Sequence, residues 1–254
     1  MLGQTQVSRV ERRWVEFVER WPTPESLTRS TLAEVLVFWQ GLGYPRRAAN
    51  LHRAAELIVT RHAGIVPASI PELLALPGVG PYTARAVLAF AYERDVGVVD
   101  TNIARVLARV DGRRLTPSEA QRSADSWVPS GEGWAWNQSM MDLGALYCRP
   151  VDPACGGCPL ARRCRWRSEG FAGPDPAIGS AGVSGRQARF AGSDRQARGR
   201  LLARLGAGPL PLGDAPSGCG LDDADRAFSI VDGLMADGLV TEVDGELHLG
   251  GGTR

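Results

Sequence analysis

The chain has 254 residues, 44% of them hydrophobic and 22% charged, with a formal net charge of +1. That length accommodates one large core or two modest ones, and the composition is that of an ordinary soluble globular protein rather than a low-complexity chain. The longest apolar runs, such as residues 86–91, fall far short of a bilayer span, and Met1-Leu2-Gly3-Gln4-Thr5 has neither the basic nor the apolar segment of a signal peptide, so the expectation is a cytoplasmic protein without a membrane partner.

Residues 1 to about 165 pattern as a series of short helices. Val10, Trp14, Phe17, Val18 and Trp21 form a helical stripe over 8–21, closed by Pro22-Thr23-Pro24. Further helices are expected over 31–40 and 45–62. Helices over 70–76 and 81–92 flank a glycine-rich turn. Asp100 is placed to cap a helix over 100–110, and another spans 136–147. The short apolar stretch 96–99 is the one strand-like signal in this part. From Gly170 the composition turns to Gly, Ser, Ala and Pro, as in a linker. Helices over 195–205 and 222–237 follow, then alternating stretches 239–243 and 246–249 around Asp244-Gly245, a hairpin-turn pair. Helix, helix, hairpin suggests a small winged-helix-like α/β module, which could bind DNA, bind a protein, or pack on the main domain.

Charge is distributed unusually. All 29 basic residues are arginine, so no lysine Schiff base can form among these 254 residues. Arginines cluster at 105–114, 162–167 and 186–204; such clusters serve either as solvated faces or as nucleic-acid contacts.

Three features carry chemistry. The first is Leu76-Pro77-Gly78-Val79-Gly80 between two helices. Its glycines permit positive φ and close approach of another molecule, Pro81 suits the first helical turn, and open N–H groups at a helix start suit a DNA phosphate. An ordinary corner between helices would use the same residues. Next, Cys148, Cys155, Cys158 and Cys164 are spaced C-x6-C-x2-C-x5-C, with Pro150, Pro153 and Pro159 stiffening the loop. Four thiols so close together are metal ligands sooner than disulfides, and zinc and iron–sulfur clusters both accept four thiolates. Cys219 stands apart. The third is Asp100, either a plain helix cap or, facing a cleft, a carboxylate that stabilises a developing cation.

Taken together, Leu76–Gly80, an Asp 20 residues after Gly80, and the four cysteines resemble the endonuclease III and MutY superfamily of DNA glycosylases, over residues 1–166. Residues 1–7, Gly41-Leu42-Gly43-Tyr44 and residues 136–144 are similar to the MutY-type adenine glycosylase branch. The resemblance implies a mainly α, helix-hairpin-helix fold with a [4Fe–4S] cluster on Cys148, Cys155, Cys158 and Cys164. It implies that Gln4, Thr5, Leu42 and Tyr44 enter the base stack, that Gly78, Val79 and Gly80 grip phosphate, and that Gln138 reads adenine. Asp100 would stabilise an oxocarbenium-like sugar, with Tyr82 and Asn102 shaping the pocket. Lyase relatives carry lysine where this chain has Tyr82, so hydrolysis without strand cutting is expected. The substrate would be double-stranded DNA holding adenine opposite guanine or 8-oxoguanine, and the protein a monomer. A thymine or uracil mismatch glycosylase, or a catalytically silent DNA-binding relative, would share the hairpin and the cluster; Gln138 within residues 137–141 favours adenine.

The expected organisation is a glycosylase domain over 1–168, including the cluster loop 148–164, a linker over 169–190 and a winged-helix-like module over 191–254. The MutT-like domain that reads 8-oxoguanine in such enzymes is larger than this last segment. The resemblance also places a catalytic glutamate two positions ahead of Met1. The chain as written is therefore expected to lack its general acid and be nearly inactive, a start placed too late being favoured over true loss.

Overall fold

The computed structural model describes residues 1–2, 5–183 and 189–250. The chain forms helices α1 (Val7–Arg20), α2 (Pro24–Thr28), α3 (Leu32–Trp39), α4 (Arg46–His62), α5 (Ile70–Leu74), α6 (Pro81–Phe90), α7 (Thr101–Asp111), α8 (Pro117–Trp127), α9 (Gly133–Leu146) and α10 (Arg165–Ser168). The C-terminal part follows with α11 (Asp194–Leu205), β1 (Leu210–Pro211), a 3₁₀ turn (Leu212–Asp214), α12 (Ala215–Cys219), α13 (Ala224–Ala236), β2 (Val240–Val243) and β3 (Glu246–Leu249). These elements divide into two compact units. Residues 1–67, 76–78 and 189–250 form the first; 68–75 and 79–183 form the second.

In the first unit, α2 and α3 begin with reciprocal caps, Thr23 with Ser26 and Thr31 with Glu34, which satisfy N–H groups that the helix itself leaves open. Its C-terminal part has the expected winged-helix order, a three-stranded antiparallel sheet arranged β1-β3-β2 beside three helices. The β2–β3 turn places Asp244 at φ +51° and Gly245 at +80°, the pair of left-handed residues that a tight two-residue hairpin requires. This fixes Val243 opposite Glu246 and Val240 opposite Leu249. Leu239, Val240 and Leu247 thereby point inward, into the same core as Val35, Leu36 and Trp39 of α3.

That shared core differs from the expected boundaries. The buried residues of 191–250 form one continuous core with those of α1, α3 and α4 rather than a separate one. The expected linker 169–190 also differs from a flexible crossing. Ala177 and Ser180 are buried in the second unit. There Leu115 N–H donates to Ser180 Oγ (3.1 Å) and Ala181 N–H to Leu115 O (2.9 Å). Residues 184–188 of that stretch lie outside the described residues.

The second unit is built around α7, with α8, α9 and α10 packed on it and a core of Ile103, Val106, Leu107, Leu115 and Met140. The stretch 96–99 forms no strand and pairs with none among the described residues. Asn137 of α9 holds it instead: Nδ2 donates to Val96 O (2.9 Å), and Oδ1 accepts from Val98 N–H (2.8 Å). A buried amide that satisfies backbone in this way replaces a sheet neighbour.

Candidate active site

Asp100 stands at the start of α7 with extended backbone, and its carboxylate is engaged at both oxygens. Oδ1 accepts from Ile103 N–H at 2.7 Å and Oδ2 from Asn102 Nδ2 at 3.1 Å. The helix cap is therefore real, and it does not use up the group. Burial pushes the Asp100 carboxyl above the usual aspartate range, while the two hydrogen bonds and the Arg105 charge pull it back. Tyr82, on the first turn of α6, is raised by burial and then by the charge of Asp100. Asp100 and Asn102 are thus joined directly, and Tyr82 lies within range of the Asp100 charge.

The turn ahead of α6 also has the expected geometry. Gly78 sits at φ +76°, and a Cβ there would come within 2.7 Å of Asn50 Cβ, so only glycine fits. Gly80 is the N-cap, Pro81 occupies the first turn, and no side chain caps α6. Added bulk at Gly80 would meet nothing within 4 Å. The backbone around Val79 and Gly80 is thus open to an approaching anion. Gln138 is half-buried on α9, and its Nε2 donates to Asp142 Oδ1 at 3.2 Å. No hydrogen bond among the described residues joins it to Asp100 or Tyr82.

All four loop cysteines, Cys148, Cys155, Cys158 and Cys164, line one small cavity walled by Val106, Leu143, Leu160 and Trp166. Burial raises the Cys148 and Cys155 thiols. Two residues that line this cavity carry polar groups. Arg109 Nη1 donates to Cys148 Sγ at 3.3 Å. The indole N–H of Trp166, another lining residue, is buried with no hydrogen-bond partner.

On the first unit, Thr5 and the loop Gly41–Tyr44 are tied together. Thr5 Oγ1 donates to Leu42 O at 2.8 Å, and Arg47 donates to Thr5 Oγ1 (2.6 Å) and to the Leu42 and Gly43 carbonyls (both 3.2 Å). Leu42 departs from its expected role as a side chain that enters the stack. It is 4% exposed, one of the core residues of this unit, because the turn that lifts Gly41 and Gly43 outward folds Leu42 inward. Tyr44 is half-buried at φ +50°, a conformation that costs a bulky residue energy and that surrounding contacts must enforce. Gln4 lies outside the described residues.

Residues 1–130 match the family described as HhH-GPD superfamily base excision DNA repair protein. The chain belongs to this superfamily. It is 42% identical over 257 residues to the adenine DNA glycosylase of Mycolicibacterium smegmatis, covering 99% of this chain and 85% of that one. The human adenine DNA glycosylase is 38% identical over 174 residues, 66% of this chain and 32% of that protein. Among solved structures, a thermostable thymine-DNA glycosylase superposes with a TM-score of 0.61 at 26% identity, over 66% of this chain and 80% of that one. A non-covalent endonuclease III–DNA complex superposes at 0.59 and 26%, over 67% and 81%.

Within this superfamily fold, two residues that sequence reasoning passed over organise the site. Arg105 of α7, 3% exposed, donates from Nη2 to Asn102 Oδ1 (2.8 Å) and Gly144 O (2.7 Å), and from Nε to Cys148 O. It thus joins the cysteine loop to the residue that holds Asp100. One turn on, Arg109 forks onto Asp175 (2.6 and 3.1 Å) and stacks over Trp166 at 4.8 Å. Their i, i+4 spacing on an otherwise apolar helix face was the available signal: a buried arginine needs several acceptors close by.

Proposed function

We propose that the protein is an adenine DNA glycosylase of base-excision repair, which hydrolyses the N-glycosidic bond of adenine opposite guanine or 8-oxoguanine in duplex DNA. The observation that carries this is the 42% identity to adenine DNA glycosylases over 99% of the chain. The thymine or uracil mismatch alternative, which would share the hairpin and the cluster, is supported by a structural similarity at only 26% identity and is not favoured. In this reading the protein acts as a cytoplasmic monomer on DNA whose adenine has been turned out of the stack.

Asp100 supplies the chemistry at the sugar. Its carboxylate, held by Ile103 and Asn102 in a partly desolvated site, is pre-oriented toward the positive charge that develops as the bond breaks. Preorganisation matters because the field is already in place and need not be assembled during the reaction. Tyr82 closes the pocket beside it and, unlike an amine, cannot attack the sugar to form a Schiff base. Hydrolysis that leaves an uncut abasic strand follows. Gln138 offers an amide that both donates and accepts, as the adenine edge requires. Gly78, Val79 and Gly80 seat a phosphate at the start of α6.

The cysteine loop fits a [4Fe–4S] cluster. Four thiols line one apolar-walled cavity, and the partnerless Trp166 N–H and the Arg109 guanidinium are donors of the kind cluster sulfurs accept. Cys148, Cys155, Cys158 and Cys164 would hold the cluster, which when bound supplies a rigid anchor for the loop. Base release from defined mispairs tests the assignment: adenine should leave, and thymine and uracil should not.

A further inference from the structure

The first unit carries an open groove of about 720 Å³ that none of the catalytic steps above uses. Arg9 of α1, Arg46 at the head of α4, and Arg195 and Arg198 of α11 line it together with Tyr44 and Phe190. The four guanidinium groups come from three separate elements. Arg195 and Arg198 lie one turn apart on α11 and so share a face. The lining contains no Asp or Glu among the described residues; Asp237, outside it, pairs with Arg46 (3.3 Å) and with Arg198. The lining is therefore basic in a chain whose net charge is only +1.

Its shape suits a polymer more than a single anion. The space is wide enough for several nucleotide-sized groups, and the charges are spread around it rather than converging on one point. Gly41 (φ +86°) and Gly43 (φ +72°) border it, and a Cβ at either would meet nothing within 4 Å, so bare backbone is presented to the ligand. Gly199 of α11 is equally open. Phe190 is 57% exposed with the Arg195 guanidinium 5.9 Å from its ring centroid, an apolar plate beside a charge. Guanidinium forks match phosphate oxygens, and an exposed aromatic face suits a base or sugar.

We infer that this groove binds the sugar–phosphate backbone of duplex DNA, and that α11 with Phe190 makes the C-terminal segment a direct part of the DNA-binding surface. The inference rests on the reading of the protein as a DNA glycosylase. It assigns residues 190–199 a contact that the hairpin and the catalytic cluster do not require.

The test is a salt titration of duplex binding by the full chain. Arg9→Gln combined with Arg195→Gln should weaken binding to mispaired and matched duplexes alike, about tenfold or more at ~0.1 M salt. It should also make the slope of log K against log salt shallower by about 1.8, because each phosphate contact contributes about 0.9. Gly199→Asp, which places a negative charge in open space within the groove, should lower affinity in the same direction. Arg12→Gln, on the exposed face of α1 with its side chain 91% exposed, removes the same charge elsewhere and should leave affinity and slope unchanged. Thermal melting confirms that each variant folds. Wild-type affinity and slope in both groove variants would overturn the inference while leaving DNA binding intact. An equal loss in Arg12→Gln would also overturn it, by showing a general charge effect. Failure of the wild type to bind any duplex would overturn the glycosylase reading along with it.

Discussion

Gly144→Ala probes how tightly the catalytic carboxylate is held, although residue 144 never touches it. A Cβ at 144 would stand 2.6 Å from Asn102 Cβ and 3.0 Å from Asn102 O. Ordinary contact begins near 3.4 Å, so α9 and α7 must part locally by about 0.8 Å, the difference between 3.4 and 2.6 Å. The atoms in the way are backbone and Cβ, which cannot swing aside. Position 144 lies inside α9, where alanine would otherwise gain about 0.8–1.0 kcal/mol over glycine. Overpacking costs about 1–3 kcal/mol, so the net effect is a loss of roughly 1 kcal/mol despite the better helix former. The displaced residue is Asn102, whose amide holds Asp100 Oδ2 at 3.1 Å and whose Oδ1 accepts from Arg105. Misplacing a catalytic group by about 1 Å costs on the order of 10²-fold in rate, and that drop is expected in single-turnover base release. Urea unfolding and single-turnover kinetics on the same preparation measure both. Gly213→Ala, where the methyl meets open space, is the control. Gly144→Ala that is more stable than wild type and as active would refute the packing argument.

Asp100→Asn should keep its helix cap and its duplex affinity while base release falls by at least about 10²-fold, since an amide caps as well but carries no charge. Because burial raises the Asp100 carboxyl and only its ionised form acts, activity should fall off on the acid side at a pH above that of an exposed aspartate. A wild-type rate in the amide variant would leave Asp100 as a cap alone. The purified protein should contain iron and absorb broadly near ~400 nm; zinc without iron would overturn the cluster assignment. Trp166→Phe should retain the iron but lower the cluster's reduction potential, because a donor that stabilises the more negative state is lost; an unchanged potential would mean that the indole N–H does not serve the cluster.

Much of this site was legible in the sequence because its local rules are strict. Gly78 and Gly80 with Pro81 specify a turn into a helix start, and Asp100 specifies a cap; both are backbone requirements that a few residues meet alone. Asp244-Gly245 specified the hairpin for the same reason, down to the inward face of Leu247. What stayed hidden depends on distant partners. Arg105 and Arg109 read as surface charge until Cys148, Gly144 and Asp175 are seen to surround them, at separations of 39 to 66 residues. Leu42 was assigned to the base stack by resemblance, whereas with positive φ at 41 and 43 it lies buried in the core of the first unit. Helix α8 was missed although Thr116-Pro117 with Glu119 forms a reciprocal cap, a signal as plain as the one on α3. The common core of the first unit was out of reach, since no local pattern pairs α3 with β3 across the length of the chain.

The most direct measurement is the identity of the base released in single turnover from three duplexes, holding adenine opposite 8-oxoguanine, thymine opposite guanine, and uracil opposite guanine. Selectivity is the quantity to read, because general-acid assistance changes the rate by about 10²–10⁴ without changing which base leaves. Free adenine should appear from the first duplex and depend on Asp100, with no thymine or uracil from the other two. Thymine or uracil release, or adenine release that is untouched in Asp100→Asn, would contradict the account.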